Sequence, residues 1–338
     1  MKRSAAILVV LGFFGLSCGN RQDSFRPKED VRFLMDTVVR ITVFDRGISE
    51  EAARSAMNQA FEAMETMEGR VSVHIDTSEV ARIVRSAGKE PVPVSDDTRH
   101  VLETAIGVSD TTGGAFDVTI GVIKDMWNFG GDNPIVPDSA FVGSRLPLVD
   151  FRRIRFDHDR VFLEKPGMSI DLGGIAKGAT VDRGVETLKR LGIRSAIVEA
   201  GGDLRIFGHH PERPQWRIGI RHPRNSEGAL FGVIETNETC IATSGDYERC
   251  FFENGKRYHH ILDPKTGFPA RGCISVTITG PNAELADAYA TAVFVLGPEK
   301  GMALIERLPS IEGLILFETL EGLEYKVSRG LRKAVHIQ

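Results

Sequence analysis

Between residues 195 and 262 of this 338-residue chain, short apolar runs succeed one another with little but turns between them. Runs at 195–199 and 203–207 flank Gly201-Gly202, runs at 216–221 and 231–235 follow, and runs at 247–253 and 256–262 flank Asn254-Gly255. Asn-Gly between two such runs is a strong signature of a type I′ hairpin. Strands joined this closely pair antiparallel, because a parallel pair needs a crossover of a dozen or more residues. A regular βαβ array is therefore excluded. The expected class is α+β: mostly antiparallel, mixed sheets with interspersed helices.

The helices announce themselves by their caps. Ser49 precedes Glu50 and Glu51, and the apolar stripe Ala53, Ala56/Met57, Ala60/Phe61, Met64, Met67 predicts a helix that stops at Gly69. A second helix is predicted from Ser95 to Gly113-Gly114, a third over 176–191, and a fourth from Asn282 to Leu296, closed by Gly297-Pro298. Alternation over 31–44 predicts one strand, and 273–279 another; a helix at 299–308 and a strand at 313–318 complete the chain. Residues 129–145 are expected to be the longest loop. There is no internal repeat and no interdomain linker, so 31–338 is expected to be one domain.

Lys+Arg 42 against Asp+Glu 46 leaves a net charge of −4, with no basic surplus for a nucleic-acid backbone. The N-terminus is a separate object. Lys2 and Arg3 precede the apolar run Ala5 to Leu16, which is too short for a bilayer span of roughly 20 residues and fits a secretory signal over 1–17. It ends Gly15-Leu16-Ser17-Cys18, which resembles a bacterial lipoprotein signal with Cys18 as the lipid-bearing residue, although Gly15 stands where a large aliphatic residue is usual. A plain cleaved signal is the alternative. Residues 18–30 then form a polar tether, and the mature chain is expected on the periplasmic side of a bacterial membrane, lipid-anchored. Cys240, Cys250 and Cys273 make neither a disulfide framework nor a zinc pattern.

Phosphate-loop, dinucleotide-fold, zincin and serine-hydrolase motifs are all absent from the sequence. What remains is a set of glycine-polar strings. Asp171-Leu172-Gly173-Gly174-Ile175-Ala176-Lys177-Gly178 leads through paired glycines into a helix start beside a Lys, which suits a pyrophosphate but also serves as a bare tight turn. Ala200-Gly201-Gly202-Asp203 and Gly113-Gly114-Ala115-Phe116-Asp117 repeat the idea, the latter beside an aromatic that can stack on a ring. In Ala286-Asp287-Ala288-Tyr289-Ala290-Thr291, Asp287 and Thr291 are i, i+4 and share a helix face among small residues. A closely packed Asp needs a partner: either a hard cation such as Mg²⁺ or a neighbouring loop. Thr243-Ser244-Gly245-Asp246-Tyr247 and His259-His260-Ile261-Leu262-Asp263-Pro264 complete the set, with a His either acting as a general base or merely structural.

Taken in order, these strings resemble the ApbE family, the FAD:protein FMN transferases, from about residue 33 to 300. The resemblance implies that FAD is bound with Mg²⁺, that a Thr or Ser hydroxyl of an acceptor protein attacks its pyrophosphate, and that AMP leaves while FMN stays attached. The acceptor it implies is a subunit of a redox-pump type carrying a motif like D-x-x-[ST]-G-A-[ST]. By the same resemblance Asp287, Thr291 and the Gly174 carbonyl match metal-binding positions. Met35, Ala115, Phe116, Asp117, Lys177 and Ile261 match FAD-contacting positions, and His260 or Asp287 assists the acceptor hydroxyl. Three strings depart from the family pattern: Met35-Asp36-Thr37, Phe116-Asp117-Val118-Thr119, and Ser72-Val73-His74, where His74 stands in place of the Tyr that stacks on the flavin. A His buries less of the ring, so hydrolysis of FAD to FMN and AMP is an alternative. A non-catalytic flavin-binding lipoprotein is another, against which the Asp287–Thr291 pair argues.

Overall fold

The structure is a computed structural model describing residues 25–225 and 228–338. The expected signal, Cys18 and the start of the tether lie outside the described residues. The first strand, β1 (Lys28–Leu34), begins inside the segment read as tether. It pairs with β2 (Thr37–Val43), so the single strand expected over 31–44 is a hairpin. Its two-residue turn, Met35-Asp36, has φ of 54° and 55° without a glycine, which is why the alternation hid it. The N–H of Met35 is held by Glu68 Oε1 at 2.8 Å.

Helix α1 (Glu50–Val71) is capped by Ser49, whose Oγ accepts from the Ala52 N–H at 3.1 Å, and it buries the expected stripe. It runs past Gly69 because Arg70 pairs with Asp97 and Val71 is buried. The chain continues through α2 (Glu79–Arg85), β3 (Val92–Pro93), α3 (Asp96–Thr111) and α4 (Gly121–Trp127). Next come α5 (Ser139–Arg145), β4 (Ile154–Asp157), β5 (Arg160–Leu163) and α6 (Ala176–Arg190). Helix α5, capped by Asp138, occupies part of the expected long loop. Then follow β6 (Ala196–Ala200), β7 (Asp203–Phe207), β8 (Trp216–Arg221), β9 (Leu230–Thr236), β10 (Thr239–Gly245), β11 (Cys250–Glu253) and β12 (Lys256–His259). The chain ends with β13 (Ser275–Gly280), α7 (Ala283–Ile305), β14 (Glu312–Thr319), β15 (Gly322–Val327) and β16 (Val335–Ile337). Non-helical backbone at Gly297 (φ 79°) kinks α7 at the expected stop, and helix resumes from Pro298 to Ile305, where one was expected over 299–308.

Eight strands form the main sheet in the order β1-β2-β6-β7-β10-β13-β14-β15, every pair antiparallel. The α+β expectation is met. Val39, Ile41, Val198, Ala242, Val276 and Ile278 point from it into the core under α1, α6 and α7. On the other face Leu204, Ile206, Ile241, Leu314 and Leu316 pack against Trp216, Ile220, Phe231 and Ile234 of the small sheet β16-β9-β8. Helix α7 is therefore buried on most of its surface, as its run of unexposed alanines demands.

Registers decide where a site can form. Val39 faces Ala200, Ala200 faces Asp203, Ile241 faces Leu204 and Gly245 faces Ser275. The Met35-Asp36 turn, the Gly201-Gly202 turn, the end of β10 and the start of β13 thus share one end of the sheet. At the opposite end the buried Asp45 carboxylate receives Arg194 Nη2 at 2.7 Å and Nε at 3.0 Å. These bonds hold its pKa down at about 2, below the roughly 3.9 of an unfolded Asp. Its stabilisation is complete above pH ~4 and disappears as pH falls towards 2. Asp45→Asn is expected to lower the thermal midpoint at pH 7 and to match the unsubstituted protein near pH 2, as read by circular dichroism melts across that range.

Candidate active site

Helices α6 and α7 approach closely enough to share ligands. A side chain at Gly178 would sit 2.2 Å from the Ala283 carbonyl oxygen, so only glycine allows the contact. Asp182, one turn further along α6, accepts the N–H groups of Ala283 and Glu284 at 3.0 and 2.9 Å and the Arg205 guanidinium at 2.6 Å. The otherwise unpaired N–H groups of α7 are thereby satisfied and its axis is pinned to α6.

That packing places Asp287 at the start of α6. Its Oδ2 accepts the Gly178 N–H at 3.2 Å, and both its oxygens lie 3.1 Å from Lys177 Nζ. The same ammonium lies 2.5 Å from Asp203 Oδ2, while Asp203 Oδ1 accepts the Thr243 N–H at 3.1 Å. Two buried carboxylates thus share one cation. They hold Lys177 firmly protonated, and burial pushes Asp287 well above the usual carboxylate range, with Asp203 adding to the effect.

One turn along α7, Thr291 Oγ1 lies 3.3 Å from Ser244 Oγ. It is also 3.0 Å from the point where a Gly174 Cβ would stand, with the Phe116 ring edge 3.2 Å from that point. Asp287, Thr291, Gly174, Lys177 and Phe116 are therefore brought together. Ala115 is buried next to Phe116. Asp117 is buried and spent internally: Oδ1 accepts Thr119 N and Oγ1 at 2.8 and 2.6 Å, and Oδ2 accepts the Phe151 N–H at 3.1 Å. It shapes the loop that carries Phe116.

His260 and Ile261 lie on the segment just after β12, where His260 N–H bonds the Arg249 carbonyl at 3.0 Å. Burial lowers the His260 pKa to about 3, with the charges of Lys124, Arg249 and Lys177 contributing. That lowered pKa leaves the ring neutral, and its Nδ1 is buried without a partner among the described residues. His259 is the packed one of the two: Nε2 lies 3.0 Å from the Ala270 carbonyl and its ring sits edge-on to Phe294. The Ile261 carbonyl is taken by the Ala270 N–H at 2.9 Å. Met35 sits in its strained turn beside Thr37, against which Gly201 packs. His74 is exposed beyond α1, near enough to Asp171 and Asp125 to interact with their charges.

Asp203, Ser244 and Lys124 are site residues beyond those expected. Lys124 Nζ lies 2.8 Å from Asp171 and 3.0 Å from the point where a Gly173 Cβ would stand. Asp203 was visible at the end of the Ala-Gly-Gly-Asp string, and Ser244 in its own string. Lys124 carries no sequence signal, because the seven residues of α4 are too few for a periodic stripe to emerge.

The Asp287 carboxylate, Thr291 hydroxyl and Gly174 backbone form a set of hard oxygens with a buried carboxylate short of positive charge, which fits a hard divalent cation. No cluster of three or more His, Cys, Asp or Glu able to cage a metal exists among the described residues.

A model of the ApbE family matches residues 35–315. The chain belongs to the ApbE family. It is 34% identical over 317 residues to the FAD:protein FMN transferase of Treponema pallidum, covering 89% of this chain and 87% of that one. With the FAD:protein FMN transferase of Vibrio cholerae it shares 31% identity over 314 residues, 91% and 93% of the two chains. The crystal structure of the ApbE protein from Thermotoga maritima superposes with a TM-score of 0.83 at 34% identity, over 91% of this chain and 99% of that one. The flavin transferase ApbE from Vibrio cholerae gives 0.82 at 29% identity, over 91% and 100%.

Removing the shared cation tests the charge arrangement. Lys177→Met leaves two buried carboxylates uncompensated, a loss of about 3–5 kcal/mol for a broken buried pair. The expected result is a lowered thermal midpoint, partly restored by millimolar Mg²⁺ and not by Na⁺, in melts with and without EDTA.

Proposed function

We propose that this ApbE-family chain transfers the FMN half of FAD to a Thr or Ser hydroxyl of an acceptor protein in a Mg²⁺-dependent reaction that releases AMP. The observation that carries the reading is the convergence of Asp287, Thr291, Gly174 and Lys177 at the start of α6, with the neutral His260 in the charge field of Lys177. The names of the relatives, FAD:protein FMN transferases, support the same chemistry.

The acceptor oxygen forms a bond to the phosphorus of the FMN half, the anhydride bond breaks, and AMP leaves with the bridging oxygen and its electron pair. The hydroxyl proton goes to a base. His260 suits this role better than Asp287, because Asp287 is held by Lys177 and Gly178 while no described residue bonds the His260 Nδ1. Asp287, Thr291 and the Gly174 carbonyl would hold Mg²⁺, which supplies positive charge against that developing on the phosphates. Phe116, fixed by the Asp117 clamp, and Met35 border the FAD pocket in this reading, with His74 at the flavin end and Ile261 beside the base.

The mature chain is proposed to begin at Cys18 and to sit lipid-anchored on the periplasmic side of a bacterial membrane. The charged, apolar and Cys order of residues 2–18 supports this, and no described helix is long and apolar enough to cross a bilayer. Cys18→Ala is expected to move the exported protein from the membrane to the soluble fraction on cell fractionation.

Incubation with FAD, Mg²⁺ and an acceptor domain carrying D-x-x-[ST]-G-A-[ST] should give a flavin-fluorescent acceptor band on a denaturing gel and free AMP, both lost with EDTA. AMP without a band would instead indicate FAD hydrolysis. Asp287→Ala should abolish both products, and His260→Gln should slow transfer by about 10²–10⁴-fold.

A further inference from the structure

The string Thr243-Ser244-Gly245-Asp246-Tyr247 ends β10 at the site, and all but one of its members are accounted for there. Thr243 bonds Asp203, Ser244 meets Thr291, and a side chain at Gly245 would lie 2.6 Å from Tyr247 Cζ. Asp246 is buried, and its carboxylate makes none of those contacts. Its Oδ1 accepts Arg224 Nη1 at 2.7 Å and Arg257 Nη1 at 3.0 Å, and its Oδ2 accepts Arg224 Nη2 at 2.6 Å. Its own N–H bonds the Ile274 carbonyl at 3.0 Å, which fixes the acceptor just before β13.

The two arginines come from elsewhere. Arg257 is on β12, three residues before His260, and Arg224 lies between β8 and β9. Among the described residues the β11–β12 hairpin forms a sheet of its own, with no ladder to the eight-stranded sheet. A lone two-stranded hairpin is marginal. One face of this one is held by aromatic packing of Phe251 and Tyr258 against Phe129 and Trp127. Those rings tie it to α4, whereas the ion network on Asp246 draws its β12 strand to the end of β10, where Ser244 meets Thr291. Bidentate pairing with Arg224 and a third charge-assisted bond make that tie directional.

We infer that Asp246 is a positioning residue for His260: its carboxylate clamps Arg257 and Arg224 to the end of β10 and so fixes where the hairpin delivers the imidazole. The inference rests on His260 being the base of the proposed transfer. The test is a cycle of transfer rates on the full enzyme, using Asp246→Asn, His260→Gln and the double variant. Asp246→Asn is expected to lower kcat by about 10–10²-fold, the cost of a misplaced catalytic group, with KM for FAD within about twofold. In the His260→Gln background the same change should have no further effect, because no base is left to misplace. Arg257→Gln, which keeps the Asp246–Arg224 pair, should repeat both results and carries the comparison should Asp246→Asn not fold. Equal losses in both backgrounds, or an effect confined to KM, would overturn the inference while leaving His260 as the base. An unchanged rate in His260→Gln alone would overturn the base assignment and the positioning role together.

Discussion

One ammonium between two buried carboxylates organises this molecule. Lys177 at the start of α6 stands against Asp203 of β7 and Asp287 of α7, so sheet and both helices meet at a single charge. Neither acid is affordable without a counter-charge in so dry a setting. One cation cannot neutralise both acids when both are ionised, which, after burial, is part of why Asp287 is pushed above the usual carboxylate range. That deficit, rather than the lysine, is what makes the corner receptive to a divalent ion and through it to phosphates. The close approach at Gly178 and the Asp182 clamp on α7 are best understood as the framework that brings these three charges together.

Around this corner the site divides into parts held by different forces. Thr291, Gly174 and Ser244 sit on close-packed elements of the main core, where position is set by packing. Phe116 rides on a loop tied by the three bonds to Asp117. His260 comes on a hairpin outside the main sheet, fastened by aromatic rings on one side and ions on the other. The two adjacent histidines show how burial alone does not define function. Both are held neutral. Each keeps a buried Nδ1 without a partner among the described residues, but His259 also commits its Nε2 to the Ala270 carbonyl and its ring edge to Phe294, whereas His260 sits in the charge field of Lys124 and Lys177.

Much of the fold was legible because it rests on short-range rules. Ser49, Ser95 and Asn282 cap their helices as expected. Gly297 breaks α7 where the glycine-proline pair stands. The misses have local causes. The Met35-Asp36 turn contains no glycine, so nothing interrupts the alternation. Strand β10, central in the sheet, is a seven-residue run of mixed polarity that includes Thr243 and Ser244, because its end lines the site rather than the core. Helices α2, α4 and α5 have seven residues each, too few for a periodic stripe to emerge.

By itself the sequence determined the antiparallel character of the sheet, the principal caps, and the spacing that puts Asp287 and Thr291 on one helix face. These depend on neighbours within a few residues. It also displayed the ordered strings that mark the family. Only the tertiary structure decided that Asp203 shares Lys177 with Asp287, that Asp117 serves its own loop, and that Asp246 grips two arginines from different hairpins. Each of those pairings joins residues far apart in the chain, and which carboxylate meets which cation is set by sheet register and helix packing rather than by any local pattern.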